Sequence, residues 1–130
     1  MSRNRLDLWE KALKSVLDKV DEHLEHTYGT RYPLRNNRQS RGTTANSMYD
    51  GLFSVEGKFS LGYARKEGPG YTIEVRIATF SHVPEKERRT MIDDVEAILR
   101  REVPLAFPGK ELLITRDGLL HRIHGDLDLD

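Results

Sequence analysis

Three patterns in the sequence predict an α+β fold: a two-layer sandwich with two helices on one face of a four-stranded antiparallel sheet, in the order α-β-β-α-β-β. Two segments carry apolar residues at three- and four-residue steps, one stretch alternates apolar and polar residues on both sides of a glycine-proline turn, and a second pair of strand-like runs brackets Asp117-Gly118. Two helical stripes and one sheet face must bury one another, and a two-layer packing is the economical way to do it.

The first helix is predicted over residues 6–24, where Leu6, Trp9, Leu13, Val16, Leu17, Val20 and Leu24 form one stripe and Lys, Asp and Glu fill the other face. Gly29 in "TYGT" is expected to close it in the left-handed conformation. Residues 30–50 hold no sustained period and are rich in Arg, Asn, Ser, Thr and Gly, which predicts a long Arg-rich loop. Loops of about 20 residues are uncommon in compact domains, and this one is expected to be either a site or mobile.

Phe53, Val55, Gly57, Phe59, Leu61 and Tyr63 then alternate with polar residues, the period of a half-buried strand. A tight turn at Glu56-Gly57 would place Ser54 opposite Phe59 and scramble the faces, so one long strand is expected, with Gly57 as a bend or bulge. "KEGPG" turns the chain, and Tyr71, Ile73, Val75 and Ile77 mark the returning strand. Pro84 suits a first helical turn. Met91, Ile92, Val95, Ile98 and Leu99 give a second amphipathic helix, expected to stop near Val103 ahead of Pro104. In "ELLITRDGLLHRIH" a type I′ turn at Asp117-Gly118 would set Ile114 against His121 and Leu112 against Ile123.

A chain of 130 residues suits a single domain, 1–130, built around one core. No apolar run approaches the roughly 18 residues of a membrane span, and charges interrupt the start "MSRNRLDLWEK", so no membrane association and a cytoplasmic address are expected. The absence of cysteine excludes disulfides, thiolate metal sites and cysteine nucleophiles. With 21 basic and 21 acidic residues the charge cancels, so attraction to a polyanion would have to come from a local patch.

That patch is "RYPLRNNRQSRGTTANSMYDG", with Arg31, Arg35, Arg38 and Arg41 and no acid before Asp50. Guanidinium forks pair with phosphate or carboxylate oxygens, and Gly42, Thr43 and Thr44 add a permissive turn and two hydroxyls. Tyr32 and Tyr49 could stack on a base. The expected ligand-binding set is therefore Arg31, Arg35, Arg38, Arg41, Thr43, Thr44, Tyr49 and Asp50, and the expected partner is an anionic ligand, nucleic acid or an acidic protein segment. The acidic tail 125–130, "GDLDLD", could add a strand edge or meet those arginines in its own or a neighbouring molecule.

Other candidates are weaker. His23 and His26 lie three apart on a helix, but two ligands make no metal site. His121 on an apolar strand face is expected to be packed and hydrogen-bonded to backbone, and Asp93-Asp94 to diverge by about 100° onto a solvated face. Neither G-x-S-x-G, S-x-x-K nor a phosphate loop occurs, so no cofactor, metal or catalytic residue is expected.

At "YDGLF" with the strand that follows it, and at "FPGKELLITRDG", the chain resembles a small family of uncharacterised bacterial proteins over residues 28–127. The resemblance implies a stand-alone bacterial domain with no assigned activity and carries over no functional residue. Function is thus expected to be non-enzymatic binding through the arginine loop. The alternatives are an oligomer formed through a sheet edge or the tail, and an enzyme whose site the 41–50 loop forms with Arg41, Tyr49, Asp50 and His121.

Overall fold

The computed structural model describes residues 3–44, 46, 49–61 and 68–127. The Leu6 side chain, residues 62–67 of the first predicted strand and its turn, and 128–130 of the tail lie outside the described residues. The elements are α1 (Arg3–Tyr28), β1 (Phe53–Ser60), β2 (Gly70–Ile77), α2 (Glu85–Ala106), β3 (Leu112–Asp117) and β4 (Leu120–Gly125). They follow the order α-β-β-α-β-β, and the four strands form one antiparallel sheet with spatial order β1-β2-β4-β3. The second strands of the two hairpins lie side by side at the centre, Tyr71 opposite Ile123 and Ile73 opposite His121, and β1 and β3 are the edges.

Both helices lie on the sheet face that carries Phe53, Val55, Gly57, Tyr71, Ile73, His121 and Ile123. The α1 stripe of Trp9, Leu13, Val16, Leu17, Val20 and Leu24 and the α2 stripe of Met91, Val95, Ile98, Leu99 and Val103 bury against it. Trp9 stacks on Phe107 at 4.1 Å between ring centroids and on Tyr71 at 6.3 Å, which ties the start of α1 to the end of α2 and the middle of the sheet.

Four local expectations are corrected. Gly57 is neither bend nor bulge, since it pairs with Ile73 in an unbroken register from Phe53–Ile77 to Ser60–Gly70. It is glycine because α1 comes down on it: a Cβ there would lie 3.1 Å from Leu17 Cδ1 and 3.2 Å from Leu13 Cδ2 and Ile73 Cδ1. Gly29 is not left-handed; a Cβ would collide with the Glu25 carbonyl oxygen at 2.3 Å, so close approach explains it.

Pro104 does not end α2, which runs on to Ala106 with Pro84 as its N-cap residue. A proline's missing N–H costs an internal helix one bond, but here the last turn is anchored by buried Val103 and by Phe107, whose N–H donates to the Val103 carbonyl at 3.0 Å. In the last hairpin Asp117 pairs with Leu120, so the two-residue loop is Gly118-Leu119 and the register moves by two: Ile114 faces Ile123 and Arg116 faces His121. Gly118 alone in the loop has positive φ, at 63°, the requirement of a II′-type rather than a I′ turn.

The outer sheet face carries Ser54, Glu56, Lys58, Thr72, Glu74 and Arg76, as the alternation predicts. It is not polar and wet throughout, because Arg122 and His124 are buried on it at 1% and 5% exposure. Arg122 donates to Thr72 Oγ1 at 3.1 Å and to the Gly68 carbonyl at 2.8 Å.

The Gly57 contact generates a test. Gly57→Ala should fold within about 1 kcal/mol of wild type, because the added methyl meets flexible leucine ends, whereas Gly57→Val should lose about 1–3 kcal/mol by overpacking beneath α1. Urea unfolding reads both, and a valine variant as stable as wild type would refute the close approach.

Candidate functional site

Leu13, Leu17, Asp21 and Glu25 form one row of α1 at four-residue spacing. The first two residues of the row settle on Gly57. The row then continues as carboxylates toward the start of β1, and these meet the loop. Glu25 Oε1 accepts the Phe53 N–H at 2.8 Å, and the tight space around it leaves no room for a Cβ at Gly29 or at Gly51, whose φ is 76°. Asp21, 2% exposed, accepts a hydrogen bond from Arg41 Nη1, which also lies 3.9 Å from Asp50 Oδ1. Asp50, 1% exposed, takes the Thr44 N–H at 3.0 Å and the Thr44 hydroxyl at 2.9 Å on its other oxygen.

Burial pushes the Asp21 carboxyl up to about 6, against the pull of Arg41. Burial also raises Glu25, outweighing its bond from Phe53. In Asp50 burial is outweighed by the two Thr44 donors and Arg41, which hold its carboxyl below the ordinary range. Asp21 Oδ1 and Asp50 Oδ1 are buried with no hydrogen-bond partner among the described residues.

The predicted ligand-binding residues are therefore placed as follows. Arg38 donates from Nε to the Gly51 carbonyl at 2.9 Å and from Nη2 to the carbonyls of Asp50 at 2.9 Å and Phe53 at 3.3 Å and to Ser54 Oγ at 3.1 Å. Arg41 joins the carboxylate cluster with Asp50 and Thr44. Arg31 pairs with Glu87 at 2.8 Å and lies over the Tyr28 ring at 4.8 Å, and the Tyr32 hydroxyl donates to the same Glu87. Thr43 closes a local turn on the Ser40 carbonyl at 2.6 Å. Arg35 is exposed, its backbone N–H bonded to the Ala78 carbonyl at 2.9 Å, and Tyr49 is 63% exposed.

His121 belongs to a second cluster: it is 1% exposed, its Nε2 lies 3.2 Å from Glu96 Oε1 of α2 rather than on a backbone group, and its own burial lowers its pKa. Asp93 and Asp94 do diverge, but not into solvent alone. Asp93 pairs with Arg116 at 2.5 Å, and Asp94 accepts the Tyr28 hydroxyl at 2.5 Å with His23 Nε2 at 3.5 Å. In the tail, Leu127 is buried and the Asp126 N–H donates to the Glu111 carbonyl at 3.0 Å. Among the described residues no group of three or more His, Asp or Glu could hold a metal ion, and no helix is long and apolar enough to cross a membrane.

Two concavities border the cluster: one of about 560 Å³ lies against Glu25, Arg41 and Gly51, and the other, with an apolar floor, lies on the β1 side. This second cleft, of about 360 Å³, runs between α1 and β1, floored by Leu13, Leu17, Val55, Gly57, Phe59 and Tyr71 and rimmed by Glu10, Lys14, Asp18, Asp21, Asn46 and Glu56. Its outer wall is the free edge of the sheet. Since the Ala78 N–H bonds the Leu52 carbonyl, Leu52, Ser54, Glu56 and Lys58 are the residues that exchange bonds with β2. The N–H and C=O groups of Phe53, Val55, Gly57 and Phe59 consequently point outward. Glu25 and Arg38 cap those of Phe53. Those of Val55, Gly57 and Phe59 meet no protein partner among the described residues.

Sequence reasoning missed Asp21, Glu25 and this edge. The usable signal was the four-residue row, in which the apolar face of α1 changes to acid without changing direction.

Fold and site together define a class: a small α+β layer protein with an arginine-bound carboxylate cluster and, among the described residues, one uncovered sheet edge. The chain belongs to the family described as "Uncharacterised protein", whose model matches residues 4–125. A curated bacterial relative from Borreliella burgdorferi, also described as an uncharacterized protein, is 34% identical over 125 residues, covering 96% of this chain and 98% of the relative. No solved structure matches.

The cluster predicts a pH response. Folding raises the Asp21 pKa from the ordinary 3.8 to about 6, so across that window the native chain holds more protons than the unfolded one and stability falls as pH rises. Asp21→Asn removes the buried charge and keeps an acceptor for Arg41. It should match wild type below about pH 4 and exceed it by about 3 kcal/mol above pH 7, in urea unfolding across pH. A difference that does not change with pH would refute the assignment.

Proposed function

We propose that this protein is a non-enzymatic binding module and that it receives an extended polypeptide segment along the free edge of β1. One observation carries the reading: the outward N–H and C=O groups of Val55, Gly57 and Phe59 border a cleft with an apolar floor. An added strand would take those backbone bonds and set every second side chain into the cleft, the mode in which main-chain pairing supplies affinity and alternate side chains supply specificity. On the rim Asp18 is paired with Lys14 and Asp21 with Arg41, which leaves Glu10 and Glu56 as the excess charge and favours a segment that alternates apolar with basic residues.

The anionic-partner reading of the 31–49 segment rests chiefly on exposed Arg35, because Arg31 is paired with Glu87, Arg38 is committed to backbone carbonyls and Arg41 to Asp21. The enzymatic reading lacks a convergence: Arg41 and Asp50 share one cluster, while His121 is bonded to Glu96 in another.

A short acetylated peptide of alternating leucine and lysine is the probe. Titrated into ¹⁵N-labelled protein at concentrations where the chain is monomeric, it should shift the amides of Val55, Gly57 and Phe59, with affinity that falls as salt rises. Shifts elsewhere, or none, would overturn the reading. Binding of a short single-stranded RNA that shifts only the neighbours of Arg31 and Arg35 would put the anionic partner in its place.

A further inference from the structure

The free edge of β1 is regular over eight residues, contains no proline, bulge or inward-pointing charge, and turns Val55, Gly57 and Phe59 toward the helices. Protein sheets ordinarily defend such an edge or use it. The opposite edge of this sheet is defended. Arg100 of α2 donates to the Ile114 carbonyl of β3 at 3.1 Å, and Arg116, on the helix side of β3, is held by Asp93 and Glu96.

We propose that the occupant of the β1 edge is β1 of a second copy of this chain, paired antiparallel about a two-fold axis at Gly57. The proposal rests on the reading that this edge accepts a strand, and it adds the partner and the register. An isologous pairing must be self-complementary, and the outward phase of Val55, Gly57 and Phe59 restricts it to registers in which these residues pair among themselves. Centring on residue 56 sets Glu56 against the partner's glutamate, and centring on 58 sets lysine against lysine. Centring on 55 or 59 leaves both charges without a counter-ion. Centring on Gly57 sets Glu56 opposite the second copy's lysine 58 twice over, at a non-hydrogen-bonded pair where the Cα atoms approach to about 4.5 Å.

Glu56 has reason to take that lysine. Its neighbour across β2 is Glu74, a like charge directly opposite, and Lys58 of its own strand reaches it only at 4.0 Å. On the helix side the same register sets Val55 against the phenylalanine 59 ring of the other copy. That ring, 41% exposed here beside Leu61 at 50%, enters the apolar cleft beside Leu17. The result is one continuous eight-stranded sheet with all four helices on one face.

Glu56 and Lys58 lie on the solvent face of β1, so reversing either leaves the fold intact. Sedimentation equilibrium should show a concentration-dependent dimer for wild type. Glu56→Lys and Lys58→Glu should each weaken it about tenfold or more, because every symmetric pair becomes like-charged. An equimolar mixture of the two variants should recover wild-type dimerisation, as should the double exchange Glu56→Lys/Lys58→Glu.

A wild-type chain that stays monomeric while the leucine-lysine peptide still shifts Val55, Gly57 and Phe59 would overturn the second copy and keep the strand-accepting edge. Loss of both would remove both. A dimer indifferent to the charge reversals, or a mixture that fails to recover, would overturn the register centred on Gly57.

Discussion

The descent of α1 onto Gly57 is the constraint from which the other features follow. A helix whose leucines reach a strand backbone, with no Cβ between them, comes close to the sheet and holds its row of i, i+4 positions parallel to β1. Leu13 and Leu17 use that closeness for packing. Asp21 and Glu25, the next two members of the row, are carried into the same layer although they are acids. Their burial is therefore a geometric consequence of the leucine contact, and it creates a demand for cations and donors that the chain meets from the segment 38–53.

Two of the loop's arginines meet that demand. A loop of this length with little apolar content has few ways to offset the entropy of its own ordering. Arg38 supplies one: its rigid fork gathers the carbonyls of Gly51, Asp50 and Phe53 and fastens the loop to the first residues of β1. Arg41 supplies a second by entering the carboxylate pair. The outcome is a connection fastened at Arg38 and Arg41, but not a cheap one, because an oxygen on each of Asp21 and Asp50 remains buried without a donor among the described residues. The donors are shared unevenly: among the described residues Thr44 serves Asp50 with two bonds, and Asp21 has Arg41.

The elements legible in the sequence were those whose periodicity answers to one buried face. The helical stripes of Leu13–Leu24 and Met91–Val103 and the alternation from Phe53 to Ile77 each face the common core, so the order of elements and the two-layer packing could be read directly. Boundaries set by tertiary anchoring were not legible. Pro104 stays helical because Phe107 is pinned on Trp9, and the last hairpin turns at Gly118-Leu119 because pairing Ile114 with Ile123 aligns two core residues. The site was less legible still. Four arginines without a nearby acid in sequence looked uncompensated, yet three of them have partners in Asp21 and Glu87, on helices distant in the chain, and in backbone carbonyls, which no charge count includes.

The two halves of the sheet also show why one edge is open. Each half is a helix followed by a hairpin, and the halves meet antiparallel at β2 and β4, so the two edges occupy equivalent places. They are finished differently because the helices reach them differently. At mid-strand β3 has Ile114, and α2 contacts that edge through polar reach, Arg100 to a carbonyl and Asp93 and Glu96 to Arg116. These bonds occupy the edge and place charge along it. At mid-strand β1 has Gly57, and α1 contacts it through leucine methyls, which satisfy no backbone group. The apolar contact that seats α1 so closely is thus the reason the β1 backbone is left, among the described residues, with donors and acceptors still to be met, while those of its first residue are held by Glu25 and Arg38.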